Sequence, residues 1–221
     1  MKTIAIISQK GGAGKTTLAI NLAGAAEAVG ISAIIIDLDP QASAKIWHKL
    51  RNKESPIVIC TVPRLLSEAI TTARQHGAGI CIIDTAPHSE TAALEAAKAA
   101  ELVLIPCRPS IIDLQAVSTT VDIVNLAGRP RAMFLINCVR PGDKTLPDDA
   151  AAALQRHTLP VCPLRITLRS DCVHALSVGQ SITEFAPDGA AADEIRELLK
   201  IAIHQDGKMN SHQEEKENTP T

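Results

Sequence analysis

Aromatic side chains are nearly absent: the 221 residues hold one Trp, two Phe and no Tyr. That scarcity excludes modules that stack bases on aromatic platforms, such as the common RNA-binding sheet and the oligonucleotide-binding barrel. Nor does one sign of charge dominate. The formal net charge is −2, so the chain is no polyelectrolyte that holds nucleic acid through bulk charge, and any such contact must be local. No apolar run reaches the ~18 residues a membrane span needs. The apolar start, Met1 to Ile7, is cut off by Gly11 and Gly12 before it reaches the length of a signal-peptide core. The six cysteines form no C-x-x-C pair and have no nearby His at zinc-ligand spacing, which predicts buried reduced thiols. Together these absences predict a cytoplasmic protein with an aliphatic core and no membrane partner.

What is present is a sequence 46% hydrophobic, in which short β-branched runs alternate with longer stretches of helical period. Repeated βαβ units have that pattern. The expected strands are Thr3 to Ile7, Ala33 to Asp37, Ile57 to Cys60, Ile80 to Asp84, Leu102 to Pro106, Ala132 to Asn137 and a weaker one near Ile166. Most are continuous apolar runs, as strands covered on both faces should be. The predicted fold class is therefore α/β: a single-domain, doubly wound, mostly parallel sheet with helices on both faces. Inward helical faces are expected from Leu18, Leu22, Ala25 and Val29, from Leu114, Val117, Val121 and Val124, and from Ala191, Ile195, Leu198 and Ala202. Glu194, Glu197 and Lys200 are left for solvent. After His204 the sequence turns polar and acidic, with Glu214, Glu215 and Glu217; this predicts a folded domain over 1–204 and a disordered acidic tail over 205–221.

The most informative stretch is Ser8 to Thr17, S-Q-K-G-G-A-G-K-T-T, directly after the first strand and opening the first helix. Gly11, Gly12 and Gly14, with Ala13 between them, let backbone wrap closely around oxyanions at a helix N-terminus, whose partial positive charge favours phosphate. Lys15 can reach the β- and γ-phosphates and the Thr16 hydroxyl can ligate Mg²⁺. The bland alternative is a glycine-rich strand-to-helix turn. Two carboxylate segments fit the same site. I-D-L-D-P-Q, residues 36 to 41, ends the second strand, and alternation along an extended chain puts Asp37 and Asp39 on one side. Open α/β sheets bind ligands at the carboxyl ends of their strands, although Asp39 could instead cap a helix beginning near Gln41. I-C-I-I-D-T-A-P, residues 80 to 87, is a buried strand ending in Asp84. A carboxylate leaving an apolar strand needs a cation or donor partner, and Mg²⁺ is the available one.

The loop departs from the usual G-x-x-x-x-G-K-[ST] form: Gln9 replaces the first Gly, and a second lysine, Lys10, precedes the glycine pair. In this K-G-G-x-G-K-T-T the chain resembles the deviant Walker loop of the ParA/MinD ATPases. The resemblance extends through L-V-L-I-P-C-R-P-S-I-I-D-L-Q-A-V (102 to 117), F-L-I-N ending at Asn137, I-T-L-R (166 to 169) and G-Q-S-I-T-E-F-A-P-D-G-A-A (179 to 191). These segments are closest to the short, ParF-like partition proteins without an N-terminal helix-turn-helix. The likeness implies ATP and Mg²⁺ as cofactors, with ATP held by Lys10, Gly11, Gly12, Ala13, Gly14, Lys15, Thr16 and Thr17, and adenine contacted by Asn137. It implies a metal site of Thr16, Asp37 and Asp84, with Asp37 holding a Mg²⁺-bound water. Asp39 would orient the attacking water, and Lys10 would cross a dimer interface to the partner's ATP. Pro40 and Gln41 resemble the family's first switch, and Thr85, Ala86 and Pro87 its second. An ordinary solvated lysine at position 10, and a strand-end turn residue at Asn137, are the alternatives from the residues themselves.

From Arg129 to Arg169, seven basic residues (Arg129, Arg131, Arg140, Lys144, Arg156, Arg165, Arg169) outnumber Asp143, Asp148 and Asp149 by four. One basic face, doubled in a dimer, would suit sequence-independent phosphate contacts; scattered solvated arginines are the alternative. Position within the ParA-like pattern singles out Arg169 for DNA. The expected function is a partition ATPase: an ATP-driven homodimer binds DNA non-specifically and associates with the nucleoid. A ParB-like or other cargo adaptor stimulates hydrolysis. Alternatives are positioning of a protein cargo, such as a carboxysome or chemoreceptor cluster, or a metabolic enzyme of the same nucleotide fold. A membrane-bound regulator of the MinD kind is disfavoured, since Gln205 to Thr221 has no apolar face.

Overall fold

The structure, a computed structural model, describes residues 1–110, 113–114 and 117–204. The expected tail, and residues 111–112 and 115–116 of the segment after the fifth strand, lie outside the described residues. Seven strands form one sheet: β1 (Lys2–Ile6), β2 (Ala33–Asp37), β3 (Ile57–Cys60), β4 (Ile80–Asp84), β5 (Leu102–Cys107), β6 (Ala132–Val139) and β7 (Val161–Thr167). Their order is β3-β2-β4-β1-β5-β6-β7, and every pairing is parallel. The chain winds outward to β3, returns to β4 beside β1, then builds the other half from β5 to β7. That reversal at β1 is where doubly wound sheets open a crevice at their carboxyl ends.

The helices are α1 (Lys15–Ala28), α2 (Ser43–Lys49), α3 (Leu66–Gln75, after a 3-10 turn at Pro63–Leu65), α4 (Glu90–Ala99) and α5 (Val117–Leu126), followed by α6 (Thr145–Leu154), α7 (Ser170–Ser177), α8 (Ile182–Phe185) and α9 (Ala190–Ile203). Side chains alternate along each strand, so one set, including Ile4, Ile6, Ile35 and Ile82, packs under α1, α2, α8 and α9. The other, including Ala5, Ile7, Ile36 and Ile83, packs under α3, α4, α5 and α6. None of the described helices is long and apolar enough to cross a membrane.

Helix α1 differs from its expected one-sided face. Leu18 through Ala26 are all buried, whereas Val29 lies past the helix end and is 60% exposed. The helix is covered by the sheet below and by α2, α8 and α9 around it, so a stripe no longer describes it. Gly24 makes that covering possible, because a Cβ there would lie 2.3 Å from the Ser181 side chain. Glu194 on α9 also departs from expectation. It turns inward to accept hydrogen bonds from Thr167 N at 2.9 Å, Thr167 Oγ1 at 2.8 Å and Arg169 at 3.1 Å. Of the cysteines, Cys81, Cys107 and Cys162 are buried as expected, Cys138 and Cys172 are half-buried, and Cys60 is exposed at the end of edge strand β3; all six are free thiols.

Candidate active site

The loop from Ser8 to Gly14 joins β1 to α1. Gly14 sits at the helix N-cap with φ of 87° and no side chain capping the helix amides, so these donors are open to an anion. A side chain at Gly14 would strike Asn137, whose Nδ2 is 2.5 Å from the Cβ position. Asn137 itself is buried and donates from Nδ2 to the Ala13 carbonyl at 2.7 Å. It thus braces the loop from β6 and also lines a cavity of about 110 Å³ with Gly14, Thr17, Asn21, Cys138 and Arg169.

Lys15 is 6% exposed, and its Nζ donates to the Ser8 carbonyl at 3.0 Å and the Lys10 carbonyl at 3.1 Å. Burial lowers its pKa, against the opposing pull of Asp84 and Asp39. Parallel register places Asp37 of β2 beside Asp84 of β4. Asp84 is wholly buried, and neither carboxylate oxygen has a partner of good hydrogen-bond geometry. Burial pushes its pKa up to about 7; the nearby Thr16 hydroxyl opposes that and the Asp37 charge adds to it. Two buried carboxylates side by side at a phosphate loop, one of which, Asp84, has no well-formed hydrogen bond, have the chemistry of a divalent-cation site: hard oxygen ligands and concentrated negative charge. Thr16, Asp37 and Asp84 therefore fit the metal expected from the sequence.

Asp39 lies beyond the end of β2, so strand alternation does not set its side chain. Its Oδ1 accepts from Gln41 N at 2.9 Å, closing a local turn. The helix-capping alternative falls instead to Asp37, which accepts from Asp39 N at 2.9 Å and, near the start of α2, from Ala44 N at 3.2 Å. Burial nevertheless raises the Asp37 pKa against those bonds. Both aspartates line a cavity of about 690 Å³ with Pro40, Gln41, Ala86 and Pro87, so the two expected switches face one space. The Thr85 hydroxyl donates to the Ile6 carbonyl at 3.0 Å, tying the second switch to β1.

Gly11 and Gly12 are exposed at the loop rim. Lys10 is there too, its Nζ 3.5 Å from Asp113 of the same chain. Arg169 is not on an open basic face. It is ion-paired with Glu194 at 3.1 Å, buries its Nε, and lines the cavity beside Gly14 and Asn137. Arg165 is likewise paired, with Asp148. Parallel topology also splits the basic segment. Arg129, Arg131 and Arg156 precede β6 or β7 and lie at the amino end of the sheet, whereas Arg140, Lys144 and Arg169 follow those strands at the carboxyl end. A single continuous basic face is not formed. Sequence reasoning assigns no role at the site to Asp113, Glu194 or Arg108; for Arg108, its position directly after β5 is the available signal.

Residues 4–182 match the family model of the CobQ/CobB/MinD/ParA nucleotide binding domain. A maintenance of carboxysome distribution protein A from Gloeobacter kilaueensis is 31% identical over 72% of this chain and 73% of its own length. The chromosome-partitioning ATPase Soj of Thermus thermophilus is 26% identical over 90% of this chain and 94% of its own. Among solved structures, the septum site-determining protein MinD of Pyrococcus horikoshii, complexed with Mg-ADP, superposes with a TM-score of 0.73 at 18% identity. That likeness covers 91% of this chain and 96% of that one.

Proposed function

The chain belongs to the CobQ/CobB/MinD/ParA nucleotide-binding family, in its ParA/MinD branch, and from that premise we propose that it is an Mg-ATP-dependent ATPase that works as a nucleotide-sandwich dimer. The observation that carries the proposal is the pairing of buried Lys15, held over the loop by two carbonyls, with the unpartnered carboxylate of Asp84 beside it. In the proposed site Gly11 to Thr17 cradle the phosphates. Thr16, Asp37 and Asp84 hold Mg²⁺, which supplies charge neutralisation on the phosphate oxygens. Lys15 sets a fixed positive charge where negative charge develops, and Asp39, at the rim of the switch cavity, orients water for in-line attack. Asn137 holds the loop closed toward the base side.

Lys10 is the residue assigned to the partner subunit. Its contact with Asp113 spans 3.5 Å between partly exposed side chains, a pair worth no more than about 1 kcal/mol. The triphosphate of a second copy can displace it. Hydrolysis returns Lys10 to its own subunit and lets the dimer open.

The proposed task is segregation of plasmid or chromosomal DNA: the ATP dimer binds DNA without sequence preference, associates with the nucleoid, and releases it when a cargo-bound, ParB-like adaptor stimulates hydrolysis. The relation to Soj supports this reading. The DNA surface is assigned to the carboxyl end of the sheet, where Arg140 and Lys144 are exposed and where a second copy would add its own. Arg169 contributes only if its Glu194 pair opens. A second reading, positioning of a protein cargo, is favoured by the relation to the carboxysome distribution protein; its site chemistry is the same. The ATPase unit of this proposal is 1–204. The test is ATP turnover and salt-dependent DNA retention with Mg-ATP, Mg-ADP and no nucleotide. ATP-specific retention supports the DNA reading. Turnover without any DNA retention favours the protein-cargo reading, and no turnover with any partner refutes the ATPase.

A further inference from the structure

Arg108, the first residue after β5, has no role in the site as described so far. We propose that it is a further phosphate-contacting residue, clamping the diphosphate portion of a nucleotide held on its own subunit's loop; the inference rests on the nucleotide-site reading above. Its Nη1 lies 3.7 Å from the point where a Gly12 side chain would begin. Arg108 shares a cavity wall with Cys138, whose sulfur lies 3.9 Å from the Cβ position of Gly14. The guanidinium thus lies against the loop at Gly12, and Cys138 of β6 lies against it at Gly14.

Charge points the same way. Arg108 is exposed, and it forms no ion pair with any described carboxylate. Without nucleotide, Lys15 is bonded to the Ser8 and Lys10 carbonyls, and Lys10, the lysine assigned to the partner's nucleotide, is paired with Asp113. Arg108 is therefore a cation lying against the loop that makes no ion pair with a described carboxylate. A planar guanidinium with no ion pair to a described carboxylate keeps its five donors for oxygen, and its fork matches phosphate in bidentate geometry. Arg108 lies against Gly12 of its own chain's loop, so the clamp acts within one subunit, before any partner arrives.

The experiment is isothermal titration of Mg-ADP and of Mg-ATP into the full chain, as wild type and as Arg108→Ala, Arg108→Lys and Lys98→Ala, the last an exposed control on α4. Arg108→Ala is expected to weaken both nucleotides roughly ten- to a hundredfold, Arg108→Lys to recover part of the loss, and Lys98→Ala to match wild type. Thermal midpoints without nucleotide check that the variants fold, which the exposure of Arg108 favours. If Arg108→Ala binds Mg-ADP as tightly as wild type, the clamp is wrong while the nucleotide site stands. The clamp is equally wrong if only ATP-dependent dimerisation falls, since that assigns Arg108 to the partner. Wild type that binds neither nucleotide overturns both.

Discussion

Replacing Asp84 by Asn should stabilise the metal-free protein, the reverse of what mutating a buried, hydrogen-bonded carboxylate does. Asp84 is wholly buried with no well-formed hydrogen bond, and its pKa rises from 3.8 to about 7. Above pH 7 the group is ionised in both folded and unfolded states, and a rise of about three pKa units then costs the fold about 4 kcal/mol. The cost is absent below pH 3.8, grows as pH rises, and is complete above about 7. An Asn at this position removes the charge but remains a buried amide short of partners, at about 1–3 kcal/mol. The expected net gain is about 1–3 kcal/mol at pH 8. Urea unfolding in EDTA at pH 5, 6, 7 and 8 should show the variant's advantage opening over that range, while Mg-dependent turnover is lost. A variant less stable than wild type at pH 8, or an advantage independent of pH, would refute the argument that Asp84 waits for a cation.

Glu184 should behave in the opposite sense. Burial alone would raise its pKa, but hydrogen bonds from Arg51, the Ser181 amide and Lys53 prevail and hold it at about 2. Its contribution of about 3 kcal/mol is present above about pH 4.5 and lost as pH falls toward 2. Glu184→Gln should therefore lower the urea midpoint strongly at pH 7 and little near pH 2.5; equal losses at both would contradict the assignment. Gly14→Ala puts a Cβ 2.5 Å from Asn137 Nδ2 at a φ of +87°. The left-handed backbone costs about 1–2 kcal/mol and loss of the Asn137–Ala13 bond about 1 more. Nucleotide affinity should fall by at least about tenfold, and calorimetry showing unchanged affinity would remove Gly14 from the loop's function.

The centre of the sheet was legible because β1, β2, β4 and β5 are buried on both faces, and continuous runs such as Ile80–Asp84 can mean little else. β7 was faint because it is a half-exposed edge, with Pro163 in its middle and register shifts against β6. The glycine spacing fixed the loop, and the two strand-end aspartates fixed its neighbours, since their positions follow from chain direction alone. The charged surface was not legible. Counting Arg129 to Arg169 along the chain cannot reveal that a parallel sheet sends loops before and after a strand to opposite ends, nor that Glu194, 25 residues on, neutralises Arg169. Lys10 pairing with Asp113, and Arg108 lying against Gly12, are likewise contacts between segments about a hundred residues apart.

The central claim is that two copies close over two triphosphates, each completing the other's site with Lys10. The most direct measurement is the mass in solution, by light scattering, with Mg²⁺ and a non-hydrolysable ATP analogue. The account predicts a dimer for wild type with the analogue, a monomer with Mg-ADP, and a monomer for Lys10→Ala under both. Wild type that stays monomeric at saturating analogue, or Lys10→Ala that dimerises as well as wild type, would contradict it.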